Sequence, residues 1–127
     1  MAQRILIVED LETYRVVLVN YLNRRRKYEL YEAEDGLQAV GLAREHRPDI
    51  ILCDISMPNM NGLELLHELQ RYPETSEIPF IFLTAIDDQL HMMMAKQMGA
   101  ANYLTKPITV DELLEAIDVI MPYKEPV

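Results

Sequence analysis

Four short apolar runs in this chain end directly in polar or ionisable side chains. The runs are residues 5–8, 50–53, 80–83 and 103–105. The groups that follow or close them are Glu9-Asp10, Asp54, Thr84 and Lys106-Pro107. Continuous apolar runs of this length are typical of strands buried on both faces of a parallel sheet. Because ligands of such sheets bind at the carboxyl ends of the strands, the pattern predicts that three carboxylates, a hydroxyl and an ammonium meet at one edge.

The predicted cluster of carboxylates has a direct chemical consequence. Three neighbouring carboxylates repel one another unless a cation lies among them. Oxygen ligands of this kind favour Mg²⁺ or Ca²⁺. Lys106 lies opposite the carboxylates in this prediction, which indicates that a further anion, a phosphoryl group, joins the site.

Helical periodicity follows each predicted strand, so strands and helices alternate five times. A weakly alternating second strand covers 28–33. The first three predicted helices cover 14–22, 37–43 and 63–69; the second ends at Arg47-Pro48, and the third breaks near Pro73. The fourth runs from Asp87 to Met98 and is followed by Gly99. The last begins with a capping box of Thr109 and Glu112 and ends at Pro122. This alternation predicts an α/β fold with helices on both faces of a parallel sheet. At 127 residues the chain is expected to form one domain, residues 1–127.

Composition excludes several classes of function. The net charge of −9 disfavours direct nucleic-acid binding, and the basic cluster Arg24–Lys27 is interpreted as a solvated helix end. Cys53, the only cysteine, lies in an apolar run and is interpreted as a buried small hydrophobe. The chain has no apolar segment of membrane-spanning length and no signal-peptide pattern at its start. We therefore expect a soluble, cytoplasmic protein that does not bind membranes.

The ordered pattern resembles the response-regulator receiver domains of two-component signalling over nearly the whole chain. The matching pieces are Glu9-Asp10, Asp54, Met57-Pro58 with Gly62, Thr84-Ala85, Tyr103 and Lys106-Pro107. The resemblance implies a doubly wound, flavodoxin-like sheet of five parallel strands in the order 2-1-3-4-5, flanked by five helices. In that order the first and third strands are neighbours, and the crevice at the topological switch lies between them.

The resemblance also implies a role for each residue of the site. Asp54 would be the phosphoacceptor, Lys106 would pair with a phosphoryl oxygen, and Thr84 would hydrogen-bond the phosphoryl group. A Mg²⁺ ion would be held by Asp10, by Asp54 and by the backbone carbonyl of Ser56, with Glu9 acting through a water molecule. A cis peptide bond is implied between Lys106 and Pro107.

The same resemblance implies a switch and its partners. Thr84 would move towards the phosphoryl group, and Tyr103 would turn inward, which remodels the face made by the fourth helix, fifth strand and fifth helix. A sensor histidine kinase or histidine phosphotransfer protein would act upstream, and an effector protein or a homodimer would use that face downstream.

The methionines at 92–94, with Leu90 and Met98, make the fourth helix more apolar than one core face requires. The chain would be an autocatalytic phosphoacceptor and not a turnover enzyme.

Alternative functions have specific requirements. A pseudo-receiver working without phosphorylation would lack the acceptor, a metal carboxylate or the lysine, and all are present. A haloacid-dehalogenase-type phosphatase needs a second acid where Ser56 stands, and a flavodoxin needs a phosphate loop where Glu9-Asp10 stands.

The sequence departs from the common family pattern at the acidic pair, which is Glu9-Asp10 where Asp-Asp is more frequent. Ser56 and Ile86 occupy positions that tune phosphoryl lifetime in the family.

Plain structural interpretations compete for individual residues. Alone, Asp54 would be a loop cap, Thr84 a strand former, Tyr103 a packed aromatic and Lys106 a surface lysine. Their joint placement at strand ends favours the functional interpretation. Three histidines lie on predicted helices away from the strand ends and are expected to be exposed bystanders: His46, His67 and His91.

Overall fold

Five parallel strands form a single central sheet in this computed structural model, which describes residues 2–86 and 88–127. The strands are β1 (Arg4–Val8), β2 (Glu29–Ala33), β3 (Ile50–Cys53), β4 (Phe80–Thr84) and β5 (Asn102–Thr105). Their order across the sheet is β2-β1-β3-β4-β5, and every neighbouring pair is parallel. The predicted strand order and fold class are therefore confirmed.

Five helices cover the two faces of this sheet. They are α1 (Glu12–Asn23), α2 (Gly36–His46), α3 (Gly62–Gln70), α4 (Gln89–Gln97) and α5 (Val110–Ile120). One core cluster joins alternate strand residues to α2, α3 and α4, and a second cluster joins the other strand residues to α1 and α5. Strands β1, β3 and β4 are buried on both sides because each of their faces packs against helices.

Local sequence signals explain most of the helix ends. Thr109 and Glu112 form the predicted capping box at the start of α5, and Asn61 with Glu64 forms a second one at the start of α3. Gly99, just after α4, adopts a positive φ of 97°, which glycine accepts without strain. Asp88 caps α4 through the amide of His91. The predicted helix start at Asp87 lies outside the described residues.

The basic cluster Arg24–Lys27 is more than the solvated helix end that the sequence predicted. Arg26 forms a bidentate pair with Asp118 of α5, with N···O distances of 2.6 and 2.7 Å, and it hydrogen-bonds Tyr28. Arg25 pairs with Asp111 at 3.1 Å. The hydrogen bonds from Arg26 lower the pKa of Asp118. Arg24, Arg25 and Lys27 are exposed at the end of α1, as predicted. The ion pairs were missed because periodicity within α1 carries no information about the acidic residues of α5.

Two apolar residues within the predicted helices are exposed. Leu37, at the start of α2, is 61% exposed, and Val17 of α1 is also exposed. The buried positions of α1 are Arg15, Leu18 and Leu22, so its core face is rotated away from Val17. Among the residues that the structure describes, none of the helices has the length and apolar composition that a membrane span requires.

A glycine at the start of α3 controls how closely this helix approaches the end of β3. A Cβ atom at Gly62 would collide with the backbone oxygen of Asp54 and would lie 2.9 Å from Phe82 Cε1. The Gly62 amide also donates to the Ile55 carbonyl at 2.8 Å. The absence of a side chain at Gly62 therefore lets the Asp54 strand end and α3 pack directly on each other.

We predict that Gly62→Ala lowers the free energy of unfolding by about 1–3 kcal/mol, because overpacking forces the backbone apart. Gly41→Ala is the matched control, since the space around Gly41 is open and the residue lies inside α2. This second change should raise the free energy of unfolding by up to about 1 kcal/mol. Urea unfolding of both variants checks the pair. Equal stability of Gly62→Ala and wild type would contradict the packing argument.

Candidate functional site

The strand order brings the predicted carboxylates together at the carboxyl edge of the sheet. Strands β1 and β3 are neighbours with Val8 opposite Cys53, so Glu9-Asp10 and Asp54 leave the sheet side by side. The Asp54 amide donates to the Val8 carbonyl at 3.0 Å, which continues the strand pairing into the site. Carboxylate oxygens of Glu9, Asp10 and Asp54 lie within 4.8 Å of one another. This spacing suits a divalent cation with oxygen ligands.

Lys106 reaches this cluster from the end of β5. Its Nζ atom donates to Glu9 Oε1 at 2.6 Å and to Asp54 Oδ2 at 3.2 Å. The side chains of Glu9 and Asp54 are only 2% and 8% exposed, so the ion pairs are shielded from water. The peptide bond between Lys106 and Pro107 is cis.

Burial and pairing shift the proton affinities in this cluster. Burial raises the pKa of Glu9, and hydrogen bonds from Lys106 and the Leu11 amide oppose this shift only in part. Burial acts to lower the pKa of Lys106, but the hydrogen bond to Glu9 and the charge of Asp54 outweigh it, so that pKa is raised. Lys106 therefore stays an ammonium inside a largely buried site.

Glu9 is buried and accepts a hydrogen bond at each of its two carboxylate oxygens. Its Oε1 accepts from Lys106, and its Oε2 accepts from the Leu11 amide at 3.2 Å. The residue as a whole is 1% exposed. Asp10 is less buried than Glu9 and lies at the mouth of the cluster.

Asp54 is oriented by its own loop as well as by Lys106. The Ser56 amide donates to Asp54 Oδ1 at 3.3 Å, and the Ser56 side chain is exposed. The neighbouring Cys53 is fully buried, its sulfur contacts the Asp54 carbonyl oxygen at 3.0 Å, and burial raises the pKa of its thiol. The interpretation of Cys53 as a buried small hydrophobe is confirmed.

Thr84 and Tyr103 both hydrogen-bond the backbone of Ile86, which follows β4. The Ile86 amide donates to Thr84 Oγ1 at 3.2 Å, and the Tyr103 hydroxyl donates to the Ile86 carbonyl at 2.6 Å. Both residues are buried, with Tyr103 7% exposed. The resemblance connected an inward Tyr103 with phosphorylation, whereas in this structure the ring already lies inward against Phe82. The N–H and the C=O of Ile86 therefore join the two predicted switch residues.

Sequence reasoning missed two residues of α1 that contact the site. Arg15 is buried, and its guanidinium donates to the Glu9 carbonyl at 2.8 Å and to Glu32 of β2 at 3.1 Å. The ring centroid of Tyr14 lies 4.1 Å from Lys106 Nζ. Helical periodicity placed Tyr14 only at the start of the predicted first helix, and Arg15 was not considered. The one available signal was their position directly after the acidic pair.

Comparisons with known proteins agree with the geometry of this site. Residues 5–118 match the family described as the response regulator receiver domain. This chain is a receiver domain. The protein PilH of Pseudomonas aeruginosa is 38% identical to it over 93% of this chain and 97% of PilH. Sporulation initiation phosphotransferase F of Bacillus subtilis is 32% identical over 98% of both chains. The crystallised chemotaxis protein CheY4 of Vibrio cholerae superposes with a TM-score of 0.89 at 26% identity, over 95% of this chain and all of CheY4.

These comparisons confirm the resemblance that the strand-end motifs indicated. The chain belongs to the receiver domains of two-component response regulators, a family of phosphorylation-based switches. The acidic group of this receiver domain is one that can hold a metal ion.

The three histidines of the receiver domain lie away from the carboxylate cluster. His67 is exposed on α3, and His91 contacts the N-cap residue Asp88 at 2.8 Å. His46 was expected to be exposed, but its ring stacks on Tyr31 with centroids 4.0 Å apart. That expectation was wrong for His46 because the end of α2 packs beside β2, and His91 is likewise only partly exposed.

The fourth helix of the receiver domain leaves a large part of its apolar surface uncovered. Leu90, Met93 and Met94 are 65%, 56% and 41% exposed, whereas Ala95 is fully buried. Met92 and Met98 pack partly against the core. The apolar excess predicted for this helix is therefore at the surface.

Proposed function

We propose that this receiver domain is a switch that Asp54 activates by accepting a phosphoryl group. The observation that carries the proposal is the placement of Asp54, a nearly buried carboxylate that lies within 4.8 Å of Glu9 and Asp10 and is bound by Lys106. The relative named sporulation initiation phosphotransferase F supports a phosphotransfer role. The donor is the phosphohistidine of a sensor histidine kinase or of a histidine phosphotransfer protein.

The reaction forms one bond and breaks another. An Asp54 carboxylate oxygen attacks the phosphorus atom, the P–N bond of phosphohistidine breaks, and its electron pair returns to the imidazole, which takes up a proton from solvent. Asp54 becomes an acyl phosphate. Lys106, already a neighbour of Asp54 Oδ2, pairs with the incoming phosphoryl oxygens as a compact positive charge.

The acidic cluster fits a Mg²⁺ ion in its ligand type and spacing. Asp10 and Asp54 would hold the ion directly, the Ser56 carbonyl would add a backbone oxygen, and Glu9 would act through water. Bound Mg²⁺ supplies charge neutralisation that lets a carboxylate approach a phosphoryl group. Glu9 already has Lys106 and the Leu11 amide as partners, which favours Asp10 as the direct ligand.

Thr84 and Tyr103 provide the path from this site to the surface. To donate a hydrogen bond to the phosphoryl group, the Thr84 hydroxyl moves towards Asp54, which lengthens the bond that it now accepts from the Ile86 amide. Since the Ile86 carbonyl accepts a hydrogen bond from the Tyr103 hydroxyl, a shift of the Ile86 backbone acts on Tyr103. The output surface is the face of α4, β5 and α5, where the exposed Leu90, Met93 and Met94 offer apolar area to an effector protein or to a second copy of the chain.

The remaining functional predictions go with this proposal. The domain acts as an autocatalytic phosphoacceptor and not as a turnover enzyme, since Ser56 cannot serve as the acid that a phosphatase needs. The alternative is a pseudo-receiver that binds its partner without phosphorylation, and the presence of Asp54, Asp10 and Lys106 in one cluster argues against it. The cytoplasmic location expected from the sequence stays a prediction.

We predict that Asp54→Asn abolishes phosphoryl transfer from acetyl phosphate in the presence of Mg²⁺, because an amide cannot act as the nucleophile. Intact-mass spectrometry measures the gain of one phosphoryl group. Asp49→Asn is the matched control, since Asp49 precedes the same strand at its opposite end and pairs with the Arg4 amide. This control should be phosphorylated like wild type. Equal labelling of the Asp54→Asn variant would reject Asp54 as the acceptor.

We also predict that Asp10→Asn weakens Mg²⁺ binding by about tenfold or more, the effect of losing about 1.4 kcal/mol from a direct ligand. Glu9→Gln should weaken it less. Isothermal titration calorimetry compares the two variants, with the exposed Glu12→Gln as a control for the loss of one negative charge beside the site. A larger loss of affinity in Glu9→Gln than in Asp10→Asn would reverse the assignment of the two ligands.

A further inference from the structure

The ring face of Tyr14 lies against the Lys106 ammonium, beside the carboxylates of Glu9 and Asp54. The distance from Lys106 Nζ to the ring centroid is 4.1 Å, which is within the range of a cation–π interaction. Tyr14 lies in the first turn of α1, so the helix that follows the acidic loop delivers the ring. The interaction links α1 with the end of β5 across the carboxylate cluster.

The hydroxyl of Tyr14 does not account for this placement. Its oxygen is buried and has no hydrogen-bond partner among the described residues, and burial raises the pKa of the phenol. A buried hydroxyl without a partner carries a desolvation cost. The favourable contact of this side chain with the site is therefore made by the ring and not by the polar tip.

Lys106 needs such a contact because its side chain is flexible. A lysine ammonium is a compact charge on a four-carbon stem and has no fixed direction of binding. Two neighbours, Glu9 and Asp54, hold the ammonium from the carboxylate side. The Tyr14 ring adds a third neighbour that carries no net charge, so it does not compete with phosphoryl oxygens for the ammonium.

We propose that Tyr14 is a positioning residue that holds the Lys106 ammonium against Asp54 through its ring face. This inference rests on the proposed function, because the benefit appears when Lys106 pairs with the phosphoryl group on its way to Asp54. A ring that only fills space would be replaced equally well by an aliphatic side chain. A ring that positions Lys106 is replaced by phenylalanine and not by leucine.

The first experiment measures the rate of phosphorylation by acetyl phosphate at saturating Mg²⁺. Tyr14→Leu should lower the rate by about three- to thirtyfold, the range expected for a partly desolvated cation–π contact, and the aromatic change Tyr14→Phe should rescue it. Tyr21→Leu is the matched control, because Tyr21 lies on the same helix and packs against the same core cluster. Mg²⁺ affinity should stay the same in Tyr14→Leu.

A double-mutant cycle tests whether Tyr14 acts through Lys106. In a Lys106→Met background, Tyr14→Leu should cause no further loss of rate. A loss of the same size in both backgrounds overturns the proposal, as does a Tyr14→Phe variant that is as slow as Tyr14→Leu. A wild-type protein that accepts no phosphoryl group overturns the proposed function itself, whereas equal rates in wild type and Tyr14→Leu overturn only the role of Tyr14.

The contact also has a spectroscopic signature that does not depend on phosphorylation. The ring current of Tyr14 should shift the NMR signals of the Lys106 ε-methylene protons upfield in the wild-type protein. The shift should persist in Tyr14→Phe and disappear in Tyr14→Leu, while Tyr21→Leu keeps it. Lys106 signals at ordinary positions in wild type would overturn the proposal.

Discussion

The ammonium of Lys106 lies between Glu9 and Asp54, and this contact makes the rest of the site possible. Without a positive charge, three carboxylates with oxygens within 4.8 Å would repel one another in a partly buried crevice. Lys106 offsets part of that repulsion at 2.6 and 3.2 Å. The cluster still carries a surplus of negative charge, which favours a divalent cation. Once a phosphoryl group arrives, the same ammonium has a further anionic partner.

The fold produces this arrangement by bringing the carboxyl ends of several strands together at one edge of the sheet. Because β1 lies beside β3, the acidic pair and Asp54 leave the sheet together, and β5 delivers Lys106 from the edge of the sheet. Close packing at Gly62 keeps α3 against the Asp54 backbone. Arg15 ties the Glu9 carbonyl to the helix that follows it. The positions of the charges therefore depend on backbone packing on both sides of the sheet.

Much of this architecture could be predicted from the sequence, and the limits have a physical cause. The apolar runs ending in Glu9-Asp10, Asp54 and Thr84 report burial and strand ends directly, since both are local properties. Contacts between distant elements are not local, so the pairing of Arg26 with Asp118 and the contact of Tyr14 with Lys106 were missed. Helix periodicity also left the rotation of each helix open, so the exposure of Leu37 was not predicted.

The most direct measurement of the central claim is chemical trapping of the phosphorylated residue. The protein is treated with acetyl phosphate and Mg²⁺, reduced with borohydride, and digested for peptide mass spectrometry. An aspartyl phosphate at Asp54 is converted to homoserine, so our account predicts homoserine at position 54 alone and only when Mg²⁺ is present. Homoserine at another aspartate such as Asp10, or none at position 54, would contradict it.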